Sequence, residues 1–141
     1  MMKLTRRNMI AISSGAAVVA SFGAMPAFAS LADDAIAEIT GGAEMGEGAL
    51  TITAPEIAEN GNTVPISFDA PGAVMVALFA DGNPTPKVAS FKFGKLSPSH
   101  SASTRIRLAG TQNVVAVAQM EDGSFQKTQA NIKVTIGGCG G

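Results

Sequence analysis

The residue with the most reactive side chain in this sequence is Cys139, set in the run Gly137-Gly138-Cys139-Gly140-Gly141. It is the chain's single cysteine. A thiol can ligate a metal, exchange disulfides, accept a lipid or form a covalent adduct, and the residues around it narrow these choices. No ligand neighbours it, and the one histidine, His100, lies in the serine-rich stretch Ser97-Pro98-Ser99-His100-Ser101, where a solvated loop residue without a role is expected. A thioredoxin-type couple wants a second cysteine two residues away, and there is none. Prenylation needs three residues after the cysteine, and two follow. No cation or base stands beside Cys139 in the sequence, so the thiol is expected to be only a few per cent ionised at neutral pH. That suits a group acted on by partner enzymes better than a catalyst.

Glycine offers no side chain to anchor, so Gly137, Gly138, Gly140 and Gly141 predict a flexible arm that does not pack. Fully extended, the five residues span about 17 Å at roughly 3.4 Å each. Three readings remain open for the thiol. It carries a covalent cargo, it tethers this chain to another through a disulfide, or it serves a lone thiol-dependent transferase or reductase. The third lacks a base, a second cysteine and a glycine-rich pocket loop.

The start of the chain says where that thiol works. Lys3, Arg6 and Arg7 precede an apolar run over residues 9–25, then Pro26 and the A-x-A pattern Ala27-Phe28-Ala29, so residues 1–29 read as an export signal. A general secretory signal shares this layout. The order Thr5-Arg6-Arg7-Asn8-Met9-Ile10 favours the twin-arginine route, which places the mature protein in the periplasm. Exported cysteines normally pair, and Cys139 has no internal partner, so it is intermolecular or reactive. The twin-arginine route carries folded cargo. No cofactor motif is present, so a pre-assembled partner chain explains the route better.

Cleavage after Ala29 leaves about 112 of the 141 residues, one domain by length. Seven Lys and Arg then face 11 Asp and Glu, a net charge of −4, which argues against nucleic-acid binding. The longest later apolar run, residues 72–80, falls well short of the roughly 20 residues of a membrane span.

Residues 30–48 read as a helix and linker. Over residues 31–40, Leu31, Ala32, Ala35, Ile36 and Ile39 share one face, and Asp33 and Asp34 suit the start of a helix dipole. Gly41-Gly42 ends it, and the helix is expected to lie on the domain or on a partner. Residues 49–136 read as strands at 50–53, 64–68, 73–80, 88–93, 104–108, 114–120 and 125–136, with turns at 59–62, 81–84 and 121–124. Pro65 suits an edge or a strand start. The pattern predicts an all-β, immunoglobulin-like antiparallel β-sandwich. With no Trp or Tyr, the Phe residues at 68, 79, 91, 93 and 125 must fill its core. Residues 137–141 form the arm.

The segment Val134-Thr135-Ile136-Gly137-Gly138-Cys139-Gly140-Gly141 resembles the C-terminal signature of the SoxY family of sulfur-oxidising (Sox) systems. Residues 55–65 (PEIAENGNTVP), Asn83-Pro84-Thr85-Pro86, residues 103–108 (STRIRL) and residues 112–118 (QNVVAVA) look like further blocks of that family, in the same order. The resemblance implies a sulfur carrier in thiosulfate oxidation, without catalytic activity or cofactor of its own, that holds intermediates covalently on Cys139. It implies a heterodimer with a SoxZ-like subunit of similar architecture, which lacks its own signal and is exported with this chain. It also implies transient encounters with the c-type cytochrome SoxAX, the dimanganese hydrolase SoxB and the sulfur dehydrogenase SoxCD. The family pattern implies a longer, more polar loop between Phe68 and Val74 than Asp69-Ala70-Pro71-Gly72-Ala73 provides.

Overall fold

Two apolar strands set the architecture. Residues 73–80 and 112–120 carry β-branched and small apolar side chains at successive positions, so either strand must be covered on both faces. The computed structural model describes residues 27–137. Most of the expected export signal, and Gly138, Cys139, Gly140 and Gly141, lie outside the described residues.

The chain runs α1 (Ala27–Thr40), β1 (Met45–Gly46), β2 (Thr51–Thr53), β3 (Ile57–Ala58), β4 (Val64–Asp69), β5 (Ala73–Ala80), β6 (Lys87–Lys92), β7 (Ser101–Ile106), β8 (Gln112–Met120) and β9 (Phe125–Val134). β5 and β8 pair antiparallel from Ala73↔Met120 to Ala80↔Val114 at the centre of a sheet ordered β1-β9-β8-β5-β6. A second sheet, β2-β4-β7, packs against it. This is the expected β-sandwich.

The core between the sheets is built from alternate residues. β4 contributes Val64, Ile66 and Phe68; β5 contributes Val76, Leu78 and Ala80; β8 contributes Val114, Ala116 and Ala118. Phe68 meets Phe91 and Phe93 edge-on, at ring-centroid distances of 5.1 and 6.2 Å. The other face of β5 and β8 presents Ala77, Phe79, Val115 and Val117, and α1 covers it with Ile36 and, less deeply, Ala35 and Ile39. The helix therefore lies on its own domain, and Phe79 fills this outer layer, not the inter-sheet core.

The helix differs from expectation at its start. It begins at Ala27 and so takes in the A-x-A segment, which moves Asp33 and Asp34 out of the first turn; that turn holds no acidic residue. Leu31 is exposed despite its place on the apolar face, because Ala32 and Ile36 define the buried line. Gly41 and Gly42, at φ of 65° and 80°, turn the chain out of the helix through a left-handed conformation that glycine adopts without strain.

Pro65 sits where β4 pairs with β7 alone, since β2 reaches only Ser67 to Asp69. Its missing N–H therefore costs no ladder bond. β7 begins at Ser101, earlier than the expected 104, because the small polar residues of that stretch pair with Asp69 and Phe68. The short Asp69-to-Ala73 connection closes as a turn, with Ala73 N donating to Ala70 O at 3.0 Å. Met120 N donates to Ser124 O at 2.8 Å in the expected β8–β9 hairpin.

Phe79→Ala should cost about 3–5 kcal/mol in urea unfolding, since it empties a fully buried site between helix and sheet. The Asp122 carboxylate in the hairpin accepts from the Ser124 hydroxyl and backbone N–H, which holds its pKa below the ordinary aspartate value. The turn bonds therefore persist above the unfolded-state pKa and are lost as pH falls through the lowered one. A carboxyl-carbon NMR titration should show Asp122 titrating below the ordinary aspartate value.

Candidate functional site

The thiol departs from the end of β9, so that end is built first. Along one edge, β9 pairs with β8 up to Gln112↔Ile132. Along the other, the short parallel strand β3 aligns Ile57 with Lys133 and Ala58 with Val134. Lys133 N donates to Glu56 O at 2.9 Å, and Thr135 N to Ala58 O at 3.1 Å. The Thr135 hydroxyl reaches Glu59 O at 3.1 Å. The hydrogen bonding thus continues to Thr135, one residue past the strand.

Two loops complete the hold. Gly61 N donates to Ile136 O at 2.8 Å, while Gly61 O accepts from Leu108 N at 2.7 Å. Asn60 shapes this loop, its side-chain oxygen accepting from Asn62 N at 2.9 Å. On the other side, Val134 N donates to the Thr111 hydroxyl at 3.0 Å.

Gly137 is half-buried against Ala109, where a Cβ would run into the Ala109 backbone carbonyl. The expectation that every glycine of the arm is unpacked therefore does not hold at Gly137. Glycine is required there because of a close approach between backbones. The anchored chain extends past residue 136, and only two residue steps, about 7 Å extended, separate Gly137 from Cys139.

A buried polar cluster fixes the Ala109 loop. Asn83 donates through Nδ2 to Arg107 O at 2.8 Å and accepts at Oδ1 from Ala109 N at 2.9 Å. Gln112 Nε2 reaches Asn83 Oδ1 and Gly110 O, both at 3.0 Å, and Gln112 Oε1 accepts from Gly82 N at 2.8 Å. Beside it, Asp81 takes both the backbone and side-chain N–H groups of Asn113, at 2.9 and 3.0 Å. Every side-chain polar atom of Asn83 and Gln112 is thereby used, which is what allows these amides to be buried.

His100 belongs to the other end of the sandwich. Its Nδ1 donates to Ala73 O at 2.5 Å, its ring lies 5.2 Å from that of Phe93, and its carbonyl accepts from Ala70 N at 2.9 Å. A carbonyl only accepts, so Nδ1 carries the proton. The expected solvated loop histidine is instead a half-buried structural residue. Sequence reasoning did not find the clamp of β3, Gly61, Thr111, Asn83 and Gln112. The clustering of Gly82, Asn83 and Pro84 reads as a turn, and nothing local reveals that its amide is buried.

Among the described residues no three His, Cys, Asp or Glu side chains come together to hold a metal. No described helix is long and apolar enough to cross a membrane.

The profile of the family described as "Sulfur oxidation protein SoxY" matches residues 36–139, ending on Cys139. No curated protein sequence matches the chain. Among solved structures, the sulfur carrier protein SoxY from Chlorobium limicola f thiosulfatophilum is 41% identical, covering 77% of this chain and 99% of its own, with a TM-score of 0.65. A superoxide reductase (neelaredoxin) variant from Ignicoccus hospitalis reaches a TM-score of 0.55 at 14% identity, covering 61% of this chain and 79% of its own. A putative superoxide reductase from Thermotoga maritima reaches 0.52 at 17%, covering 64% and 87%. The last two share the fold.

Gly137→Ala should lower stability by about 1–3 kcal/mol, because the obstructing atom is backbone and cannot turn away. Gly110→Ala, which meets open space, should not. Urea midpoints of the two variants make the comparison. Asn83→Ala should cost about 1–3 kcal/mol by orphaning Ala109 N and Arg107 O, and should speed hydrogen exchange at Ala109.

Proposed function

The chain belongs to the SoxY family of sulfur carrier proteins, and from that premise we propose that it carries sulfur intermediates of thiosulfate oxidation covalently on Cys139, in the periplasm, for partner enzymes to process. The observation that carries this reading is the family match running through Cys139, two residues beyond a glycine clamped to the domain. A carrier must offer its thiol at a defined place while leaving the thiol itself uncovered by its own chain. The packing of Gly137 against Ala109 supports the first of these demands.

In the proposed cycle, thiosulfate joins the thiol with loss of one proton and two electrons. The electrons pass to a c-type cytochrome of the SoxAX kind, and Cys139–S–S–SO3− forms. A dimanganese hydrolase of the SoxB kind adds water across the terminal S–S bond, releasing sulfate and two protons and leaving the persulfide Cys139–S–S−. A sulfur dehydrogenase of the SoxCD kind oxidises that remaining sulfur. This chain supplies the attachment point and the presentation. Its stable partner in the proposal is a SoxZ-like subunit, and the Arg6-Arg7 signal supports twin-arginine export of the folded pair.

Cys139→Ser should fold and bind its partner subunit with an unchanged melting temperature, yet abolish thiosulfate-dependent cytochrome reduction in the reconstituted system. Turnover by the serine variant would refute covalent carriage. A persistent disulfide-linked dimer without adduct turnover would mark the cysteine as a structural tether.

A further inference from the structure

Among the described residues β6 pairs only with β5, and β7 only with β4, so these strands are edges of the two sheets. Between them, at the end of the sandwich where β5 and β8 meet at Ala80↔Val114, lies a groove with a cavity volume of about 320 Å³. Lys87, Arg105 and Arg107 line it, with Thr85, Thr104 and Asn83. Among the described residues no carboxylate does. Asp81, the nearest acid in sequence, is held by Asn113 instead. In a domain whose mature chain carries four more acids than bases, three of the seven cations share this one slot. Arg105 and Arg107 are two apart in an extended segment, so their side chains leave the same face.

The groove is tied to the root of the thiol segment. Asn83 lines the groove and holds both Arg107 O and Ala109 N, and Ala109 is the residue on which Gly137 packs.

We infer that this groove is a binding site for a sulfur oxoanion. The ligand is a sulfonate, thiosulfate or sulfate group, held by the guanidinium groups of Arg105 and Arg107 and the Lys87 ammonium, with the Thr85 hydroxyl as a further donor. Guanidinium forks fit tetrahedral oxoanions through charge-assisted hydrogen bonds. Two sources share this chemistry: the free anion, or the terminal sulfonate of an adduct on Cys139. The second source rests on the carrier reading above; the first does not.

The test uses isotope-labelled full-length mature protein and backbone amide NMR at constant ionic strength set with sodium chloride. For the free anion, sodium thiosulfate and sodium sulfate are titrated into Cys139→Ser protein. For the bound anion, wild-type protein is loaded with tetrathionate and desalted. The Cys139 thiolate attacks a central sulfur of tetrathionate, forming Cys139–S–S–SO3− and expelling thiosulfate, with no other oxidant needed.

The amides of Thr85, residues 87–89 and residues 104–107 should shift saturably in at least one arm. Arg105→Gln with Arg107→Gln should weaken the effect about tenfold or more, and Lys92→Gln, at the far end of β6, should leave it unchanged. Shifts with free anion alone assign the groove to substrate or product. Shifts with the loaded protein alone assign it to the cargo. Either supports the site. The absence of saturable shifts in both arms, or equal shifts in the double variant, would overturn it. Failure of the carrier reading would appear separately, as turnover by Cys139→Ser, and would leave the free-anion titration unaffected.

Discussion

The geometry of the thiol's root depends on β9 being held along both of its edges. β8 occupies one edge over residues 125–132 of β9, and two short parallel strands, β1 and β3, grip the other at its start and its end. A terminal strand with one free edge would fray from its end and leave the following glycines without a fixed origin. Here the hydrogen bonding runs on past the strand to Thr135 and Ile136, and stops at a glycine that the Ala109 carbonyl admits only because it lacks a Cβ.

That hold is supported from within the sandwich. β5 and β8 are covered on both faces, by the second sheet on one side and α1 on the other, so the sheet that carries β9 has a rigid centre. At the root end, the buried Asn83–Gln112 pair converts the 107–110 loop into a fixed surface, because each of its amide groups is satisfied by a named partner. The opposite end is closed differently, by the Glu121–Ser124 hairpin and by His100 bonded to Ala73. The molecule therefore has one end organised around the departing C-terminal segment and another closed by a hairpin and a bonded histidine. The cationic groove lies at the first end, beside the Asn83 that fixes the Ala109 loop.

The large elements were legible in the sequence. Alternation at residues 64–69, the apolar runs of β5 and β8 and the glycine-bearing turns place the sandwich strands within a few residues, since period-two burial leaves a direct trace. The family blocks at residues 55–65, 83–86 and 112–118 drew attention to segments that the structure gathers around the root. What stayed hidden was non-local. β1 and β3 are two-residue strands whose identity lies in their alignment with β9, and Ile57 and Ala58 show no alternation of their own. The burial of Asn83 depends on Gln112 and Ala109, far away in sequence. Gly137 looked like its neighbours Gly138, Gly140 and Gly141, and only the position of Ala109 distinguishes it. His100 looked solvated because its serine-rich surroundings do not show that Ala73 and Phe93 fold over it.

The central claim is that sulfur travels on Cys139, and intact-mass spectrometry of the protein isolated from its own cells, with and without reductant and followed by mapping of the C-terminal peptide, tests it most directly. Carriage on Cys139 should give a ladder of adducts, about 32 mass units for each added sulfur and about 112 for the thiosulfonate, confined to Cys139 and removed by reductant. A single species, free thiol or one fixed disulfide, that persists after thiosulfate feeding would contradict it.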